Sequence, residues 1–273
     1  MTSRTERIAN YTLLTLFSLI ALYPIVAVLM VALHNPNDAL TGLSVPTHPD
    51  FHNFTRAWST AHFSQYFKSS VIVSGSVVVL ATVCSILAGY AFGTFRFRGS
   101  SALFYILLLG LVLPMEVAII PLYYDFRRFD LVNSYIGLIL PQVGLSVAFG
   151  TFWMRAFFRS TPRSLVEAAR IDGASTFSIL WRVLLPTGRP AVLTMVVLVF
   201  MWTWNEFLLP LVLVSDESHQ TAPLGLAFFQ YRHITDLTGI SAAALIIAAP
   251  TMLVYVFLQR RFIAGMISGA IKG

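Results

Sequence analysis

Six long apolar stretches alternate with polar connections along this sequence. They cover residues 9–33, 67–93, 102–124, 134–157, 190–214 and 240–261. Each reaches the roughly 20 mainly apolar residues that a helix needs to cross the hydrocarbon core of a bilayer. The pattern therefore predicts an all-α integral membrane fold with six transmembrane helices, and an even number of spans places both termini on the same side.

The overall composition indicates the same environment. Hydrophobic residues make up 57% of the 273 residues and charged residues 11%, and the mean hydropathy is +0.76. These values exclude a water-soluble globular domain of this size. The first apolar stretch is too long for a signal peptide and lacks a small-residue cleavage site before His34, so we expect it to remain as a span. No linker or low-complexity segment divides the chain, which predicts a single transmembrane domain over residues 1–273.

The positive charges lie mainly in one set of connections. Thirteen of the eighteen Lys and Arg residues belong to it: Arg4, Arg7, Arg96, Arg98, Arg155, Arg159, Arg163, Arg170, Arg182, Arg189, Arg260, Arg261 and Lys272. The positive-inside bias predicts that these connections and both termini face the cytoplasm. The net charge of +6 then follows from topology. Because the sequence holds no aromatic and basic module typical of nucleic-acid binding, no nucleic-acid partner is expected.

The basic connection between the fourth and fifth stretches, residues 161–186, predicts two short helices joined by a tight turn. Thr161 can cap the first helix with its hydroxyl, and Pro162 suits the first helical position. The helix is expected to end at Asp172. Gly173 follows it, and glycine adopts positive φ without a Cβ penalty.

The second helix of this connection is expected to begin after Ser175, which can cap it, and to be interrupted at Pro186. An apolar stripe along it is predicted at Phe177, Leu180, Trp181 and Leu184. From residue types alone, an amphipathic loop lying on the membrane surface explains the segment equally well.

The spacing within this connection resembles the EAA loop of ABC importer permeases. The family pattern is E-A-A, three residues, G, nine residues, I, one residue, L-P. The chain matches it throughout, with Val183 in place of Ile. The resemblance implies that the loop receives force from a separate ATPase. The residues implied in that coupling are Glu167, Ala168, Ala169, Asp172, Gly173, Leu185 and Pro186.

Three further segments resemble carbohydrate-uptake permeases similar to the smaller membrane subunit of the maltose importer. They are residues 87–99, 204–207 and 259–273. The chain departs from that group at residues 69–70, where Ser-Ser replaces Asn-Ser, and at residues 93–94, where Gly-Thr replaces Ala-Arg. The same resemblance implies that the tail reaches the ATPase interface through Gly269, Ala270 and Lys272.

The resemblance also implies partners in the cell membrane of a prokaryote. A permease of this type pairs with a second, different permease subunit, works over two ATPase subunits or domains, and receives solute from an extracytoplasmic binding protein. Its solute is expected to be a sugar or oligosaccharide, moved by alternating access. A polyol, a glycerophosphate ester or an amino acid is the alternative solute. An ion-coupled secondary transporter is a further alternative, although no paired inverted repeat is evident.

The sequence carries no pattern for nucleotide hydrolysis. The motif G-x-x-x-x-G-K-[ST], whose backbone amides cradle nucleotide phosphates, is absent. We therefore expect that the chain is not an enzyme, that ATP is hydrolysed by the partner, and that no cofactor is bound. His34, His48, His52 and His62 lack the spacing of a zinc site and have no cysteine nearby, so no metal site is expected.

Three polar residues within the apolar stretches are candidates for the translocation pathway. A charged side chain at the centre of a span costs about 2.5 to 3.5 kcal/mol, so Glu116 and Glu206 are expected to face the bundle interior or an aqueous path. Asn205 could share hydrogen bonds with Glu206. A buried structural glutamate explains these positions as well as a pathway role does.

Overall fold

The computed structural model describes residues 4–36, 38, 44–60, 62–112, 114–230 and 236–270, with side chains described as far as residue 259 except at 227, 228 and 230. Every regular element in these ranges is helical. The elements are α1 (Arg4–Ala32), α2 (His52–Thr60), α3 (Phe63–Thr94), α4 (Ser100–Val112), α5 (Met115–Arg128), α6 (Tyr135–Ser160), α7 (Arg163–Ile171), α8 (Thr176–Ser178), a π-helix (Ile179–Leu184), α9 (Leu185–Thr187), α10 (Arg189–Trp204), α11 (Leu208–Leu213), a 3₁₀ turn (Ala222–Leu224), α12 (Gly225–Gln230) and α13 (Leu237–Ala270).

Four of the described helices are long and apolar enough to cross a membrane: α1, α3, α6 and the Leu237–Gln259 part of α13. The third predicted span is two helices, α4 and α5, whose axes differ by 96°. Pro114 lies between the two helices as the N-cap residue of α5, and it cannot continue a hydrogen-bonded helix because it has no N–H. A second bent pair consists of Thr176–Thr187 and α10. If each bent pair forms one span, the described residues contain up to six spans.

The fifth predicted span is also interrupted. α10 ends at Trp204 after 16 residues, and α11 begins only at Leu208. The continuous helix expected over residues 190–214 is therefore absent. The side chain of Glu206 supports the restart, since Oε1 accepts a hydrogen bond from the Leu209 N–H at 3.0 Å.

The chain divides into two compact units, one of which comprises residues 1–64 and 225–249. In it, Asn53 Nδ2 donates to the carbonyls of Ala32 (2.9 Å) and His34 (2.7 Å), which ties α2 to the end of α1. Arg56 pairs with Asp236 at 3.0 Å. Ala32 is the only described α1 residue classed as buried, so hydrocarbon or another protein must cover the apolar sides of this helix.

The second unit comprises residues 65–224 and 250–273. Its core is centred on α6, against which α4, α10 and α11 pack. α3 also approaches α6 closely, because a Cβ added to Gly89 would lie 2.5 Å from Met154 Cβ, and one added to Gly93 would lie 2.9 Å from Phe158 Cβ. Small residues allow such backbone proximity where water cannot drive association.

Candidate functional site

The connection after α6 forms a short peg helix. α7 runs from Arg163 to Ile171, and its N-cap residue is Pro162, which provides no side-chain cap. The predicted cap at Thr161 is wrong: Thr161 Oγ1 donates to the Phe157 carbonyl at 3.1 Å, so this residue finishes α6 instead. The hydroxyl keeps its acceptor lone pairs, but α7 begins only at Arg163 with Pro162 as its N-cap, so Thr161 lies one residue before the capping position.

The end of α7 has the geometry predicted from the glycine. Gly173 has φ of +78°, and two hydrogen bonds close the turn. The Ala174 N–H donates to the Ala169 carbonyl at 2.9 Å, and the Gly173 N–H donates to the Arg170 carbonyl at 3.0 Å. This pair of bonds is the Schellman motif, which requires a left-handed residue at the position of Gly173. A Cβ there would meet no atom within 4 Å, so the backbone angle alone favours glycine.

The second arm of the connection is capped as predicted but differs in its interior. Ser175 Oγ accepts a hydrogen bond from the Ser178 N–H at 3.3 Å. The chain then forms a π-helix over Ile179–Leu184, a rare conformation found mostly at functional positions. Pro186 does not interrupt the helix, which continues to Thr187, because the proline lies in the first turn of α9 where its missing N–H is not needed.

The second arm meets α10, the next helix along the chain, at a steep angle. The axes of Thr176–Thr187 and α10 differ by 80°. The change of direction occurs at Gly188, which is buried against the Phe157 ring; a Cβ there would lie 2.6 Å from that ring. If α10 crosses the membrane, the arm consequently runs nearly parallel to the membrane surface.

The predicted apolar stripe of the second arm splits between two faces. Leu180 and Leu184 are buried, whereas Phe177 and Trp181 are 65% and 44% exposed. The i+5 hydrogen bonding of the π-helix changes the angular position of the side chains, so the 3.6-residue pattern does not hold across it. Ile171 at the end of α7 is 87% exposed. The rings of Phe177 and Trp181 lie 5.8 Å apart, and we refer to the exposed side chains of Ile171, Phe177 and Trp181 together as the apolar contact face.

The remaining coupling candidates differ in their exposure. Glu167, Ala168, Asp172, Gly173 and Pro186 are exposed, and Leu185 is half-buried. Ala169, in contrast, is buried in the core of its own chain, where α7 packs on the π-helix. Of the tail candidates, Gly269 and Ala270 lie in the last turn of α13, without described side chains, and Lys272 lies outside the described residues.

A separate cavity of about 280 Å³ opens among the membrane helices of the same unit. We call it the inner cavity. It lies beside the break between α4 and α5 and the end of α10. Its polar lining comes from Gln142, Ser146, Thr203 and Glu206, and its aromatic lining from Phe149 and Trp202, whose rings meet edge to face at 4.7 Å. An apolar wall with a few polar groups is typical of a small-molecule site.

The structure separates the three pathway candidates. Glu206 lines the inner cavity and is half-buried. Asn205 is exposed, and its amide donates to the Met201 carbonyl at 2.7 Å instead of sharing bonds with Glu206. Glu116 is exposed in the first turn of α5 and does not line this cavity, although its neighbour Met115 does.

Five polar or aromatic lining residues were not predicted from the sequence: Gln142, Ser146, Phe149, Trp202 and Thr203. Gln142 and Ser146 lie four residues apart in an apolar stretch, which places two polar side chains on one face of a helix. That spacing could have indicated that Gln142 and Ser146 line a polar site between the helices. Pro210 indicated a kink in the fifth span, because it has no N–H to bond to the Glu206 carbonyl, but the sequence did not indicate that Glu206 would lie beside Gln142 and Ser146.

At one end of this unit, a polar loop follows α11. The Asp216 carboxylate accepts hydrogen bonds from the Ser218 hydroxyl and from His219 Nδ1 (2.8 Å). These bonds, with that of the Ser218 hydroxyl contributing most, hold the pKa of Asp216 below its ordinary value. Asn133 Oδ1 accepts from the Ser215 N–H at 2.7 Å and fixes the start of the loop.

Comparison with known proteins shows similarity along nearly the whole chain. The family model described as "Binding-protein-dependent transport system inner membrane component" matches residues 81–268. The diacetylchitobiose uptake system permease protein of Streptomyces coelicolor is 35% identical over 262 residues, which cover 95% of this chain and 86% of that protein. The trehalose transport system permease protein of Mycobacterium tuberculosis is 31% identical over 255 residues, covering 93% of each chain.

A solved structure shares the fold. A chain of a bacterial ABC transporter involved in the import of the acidic polysaccharide alginate matches with a TM-score of 0.80 and 24% identity, covering 96% of this chain and 99% of that one. Such permeases are membrane subunits, and ATP hydrolysis belongs to a separate ATPase subunit. The protein therefore belongs to the family of binding-protein-dependent transport system inner membrane components, as a multi-pass permease subunit of an ABC importer.

Proposed function

We propose that this permease moves a sugar or oligosaccharide through a pathway that includes the inner cavity, and that an ATPase drives it through the connection between α6 and α10. The observation that carries the coupling assignment is the apolar contact face beside the exposed residues of α7. Ile171, Phe177 and Trp181 expose large apolar surfaces at the turn and along the second arm of a basic connection. Exposed apolar patches of this kind mark protein interaction sites.

The geometry of α7 suits the transmission of force. The Schellman turn at Gly173 fixes the direction in which the chain leaves the helix, while Ala169, Ile179, Leu180 and Leu184 anchor both arms in the core of the unit. A push on the exposed side of α7 therefore reaches the core through packed side chains. Packed interiors transmit displacement because they compress little.

The solute class rests on the relatives and on the cavity lining. The two relatives described above are named for diacetylchitobiose uptake and for trehalose transport. The inner cavity combines aromatic surfaces at Phe149 and Trp202 with hydrogen-bonding groups at Gln142, Ser146 and Thr203. Sugar rings have apolar faces and hydroxyl edges, and a lining of this mixed character fits both.

The proposed assembly has three further components. A second permease subunit completes the pathway, two ATPase subunits or domains contact the cytoplasmic side, and an extracytoplasmic binding protein delivers solute, as the family description implies. Both termini and the coupling connection face the cytoplasm in this proposal, on the strength of the thirteen-to-five distribution of Lys and Arg.

The orientation has a direct test. In a Cys84→Ala background, which removes the chain's only cysteine, Ser164→Cys places a thiol at an exposed position of α7. An impermeant maleimide should label it only after cells are opened. Labelling of intact cells at Ser164→Cys would overturn the proposed orientation.

The pathway is tested by a matched pair of substitutions on α6. Phe149→Ala removes an aromatic side chain from the inner cavity, whereas Phe152→Ala removes an exposed one that does not line it. In vesicles containing the whole importer and its binding protein, Phe149→Ala should lower uptake of the cognate carbohydrate more than Phe152→Ala. Equal uptake by the two variants would exclude the inner cavity from the pathway.

A further inference from the structure

A second cavity, of about 560 Å³, lies in the same unit next to α7. Its lining comes from the end of α3 and the connection after it, the start of α4, the last turns of α6 and one face of α7. Five arginines contribute to it: Arg96, Arg155, Arg159, Arg163 and Arg170. We call it the arginine cavity.

The charge of this cavity is not balanced within the described chain. Glu167 is its one acidic lining residue, against five guanidinium groups that stay protonated at any physiological pH. Among the residues that the structure describes, none of the five arginines has a carboxylate within 4.0 Å. Five like charges around one concavity repel one another, and a bound anion would relieve that repulsion.

The deepest of these arginines is held in place. Arg155 Nε donates to the Phe92 carbonyl at 3.3 Å, and its guanidinium lies 3.9 Å from the centre of the Phe104 ring. Both contacts fix the plane of the group and leave its two terminal nitrogens free for a further partner. Fixed guanidinium forks match the paired oxygens of a phosphate group.

Hydroxyl groups complete the donor set. Ser100 and Ser101, in the first turn of α4, also line the arginine cavity. Serine hydroxyls and the N–H groups of a first helical turn commonly accompany arginine around phosphate oxygens. The volume is within the range of small-ligand sites and leaves room for a phosphate with a short organic substituent.

We propose that the arginine cavity binds a phosphate group, supplied either by the headgroup of an anionic lipid or by a soluble phosphate ester. A bound phosphate would touch α6, α7 and the connection between α3 and α4 together, because arginines from all three surround it. Occupancy would thereby stiffen the attachment of α7 to the membrane helices. The site is separate from the apolar contact face and from the inner cavity, so its existence does not depend on the proposed solute.

The test uses the importer complex purified by a tag on this chain and embedded in phosphatidylcholine nanodiscs. One arm adds phosphatidylglycerol and counts retained lipid by native mass spectrometry. The other arm titrates inorganic phosphate and glycerol phosphate and measures binding by calorimetry. Arg159→Gln with Arg163→Gln removes two charges from the cavity, and Arg182→Gln with Arg189→Gln removes two from the same connection outside it.

Each cavity arginine should contribute about fivefold to affinity, so the cavity double variant should bind about 25-fold more weakly than the control double variant. Lipid retention lost only in the cavity variant assigns a lipid headgroup, and loss of calorimetric binding assigns a soluble ester. Arg159→Lys with Arg163→Lys, which keeps the charge, should retain most of the binding. The proposal is overturned if the wild-type complex binds neither probe, or if the cavity and control variants bind alike.

Discussion

The turn at Gly173 gives the sharpest prediction about the coupling connection. With φ of +78° and no atom within 4 Å of an added Cβ, a substituted side chain there is strained by the backbone and not by crowding. An alanine in the left-handed region costs about 1 to 2 kcal/mol, asparagine costs less because it tolerates that region, and a β-branched valine costs more. The expected order of function is therefore glycine, asparagine, alanine, valine.

The backbone strain caused by a substitution at residue 173 is large enough to be detected as weaker binding of the ATPase. If the strain unfolds the last turn of α7, the two Schellman hydrogen bonds are lost. A loss of about 1 to 2 kcal/mol lowers the fraction of chains whose α7 is folded for ATPase binding about 5- to 30-fold. Pull-down of the ATPase from membranes, together with uptake by the same vesicles, reports this fraction.

Two controls separate local strain from general damage. Gly99→Ala carries a similar strain, with φ of +84° and open space, but lies outside the connection, and Gly75→Ala adds a methyl group with neither strain nor contact. Both should retain the ATPase. Strain at residue 173 does not govern coupling if Gly173→Val retains the ATPase as well as the wild type does, or if Gly173→Asn retains less than Gly173→Val.

Three further predictions concern other parts of the second unit. Phe177→Ala with Trp181→Ala should weaken ATPase retention without lowering the unfolding temperature, because both side chains are exposed. Leu180→Ala removes a buried side chain and should destabilise the chain by about 2 to 5 kcal/mol in detergent unfolding; a double variant less stable than Leu180→Ala would contradict the assignment of exposed and buried faces. Glu206→Gln keeps an acceptor for the Leu209 N–H and should preserve stability, while Glu206→Ala should cost about 1 kcal/mol in the same assay, and equal stabilities would rule out the capping role. The pKa of Asp216 is lowered in the folded loop, so the ionised Asp216 stabilises the loop fully above the ordinary pKa of about 3.9, and this stabilisation is lost as pH falls through the lowered pKa. Amide hydrogen exchange of residues 215–219 should therefore become faster over that pH range, and Asp216→Asn should abolish this pH dependence.

Local sequence signals predicted the features that depend on neighbouring residues. The glycine and Ser175 set a turn and a cap through backbone conformation and a hydrogen bond three residues away, and both are as predicted. The apolar stretches likewise gave the main helices, since length and hydropathy decide which segments can span a bilayer.

Features that depend on distant residues could not be read in this way. Thr161 could either accept from the first turn of α7 or donate to the last turn of α6, and it donates to the Phe157 carbonyl because α7 begins only at Arg163. The π-helix at Ile179–Leu184 forms where the second arm packs against α7, and a 3.6-residue pattern cannot detect it. The arginine cavity combines residues from four elements that are separated along the chain by more than 70 positions.

Contact between α7 and the ATPase is the central claim, and cysteine cross-linking tests it most directly. In the Cys84→Ala background, Ala168→Cys places a thiol on the exposed side of α7, and Ser215→Cys places one in the exposed loop after α11, on the side expected to face outward. With a short bifunctional reagent, Ala168→Cys should cross-link to the ATPase in assembled membranes, with a yield that changes on ATP addition, and Ser215→Cys should not. Cross-linking of the ATPase at Ser215→Cys but not at Ala168→Cys would contradict the account.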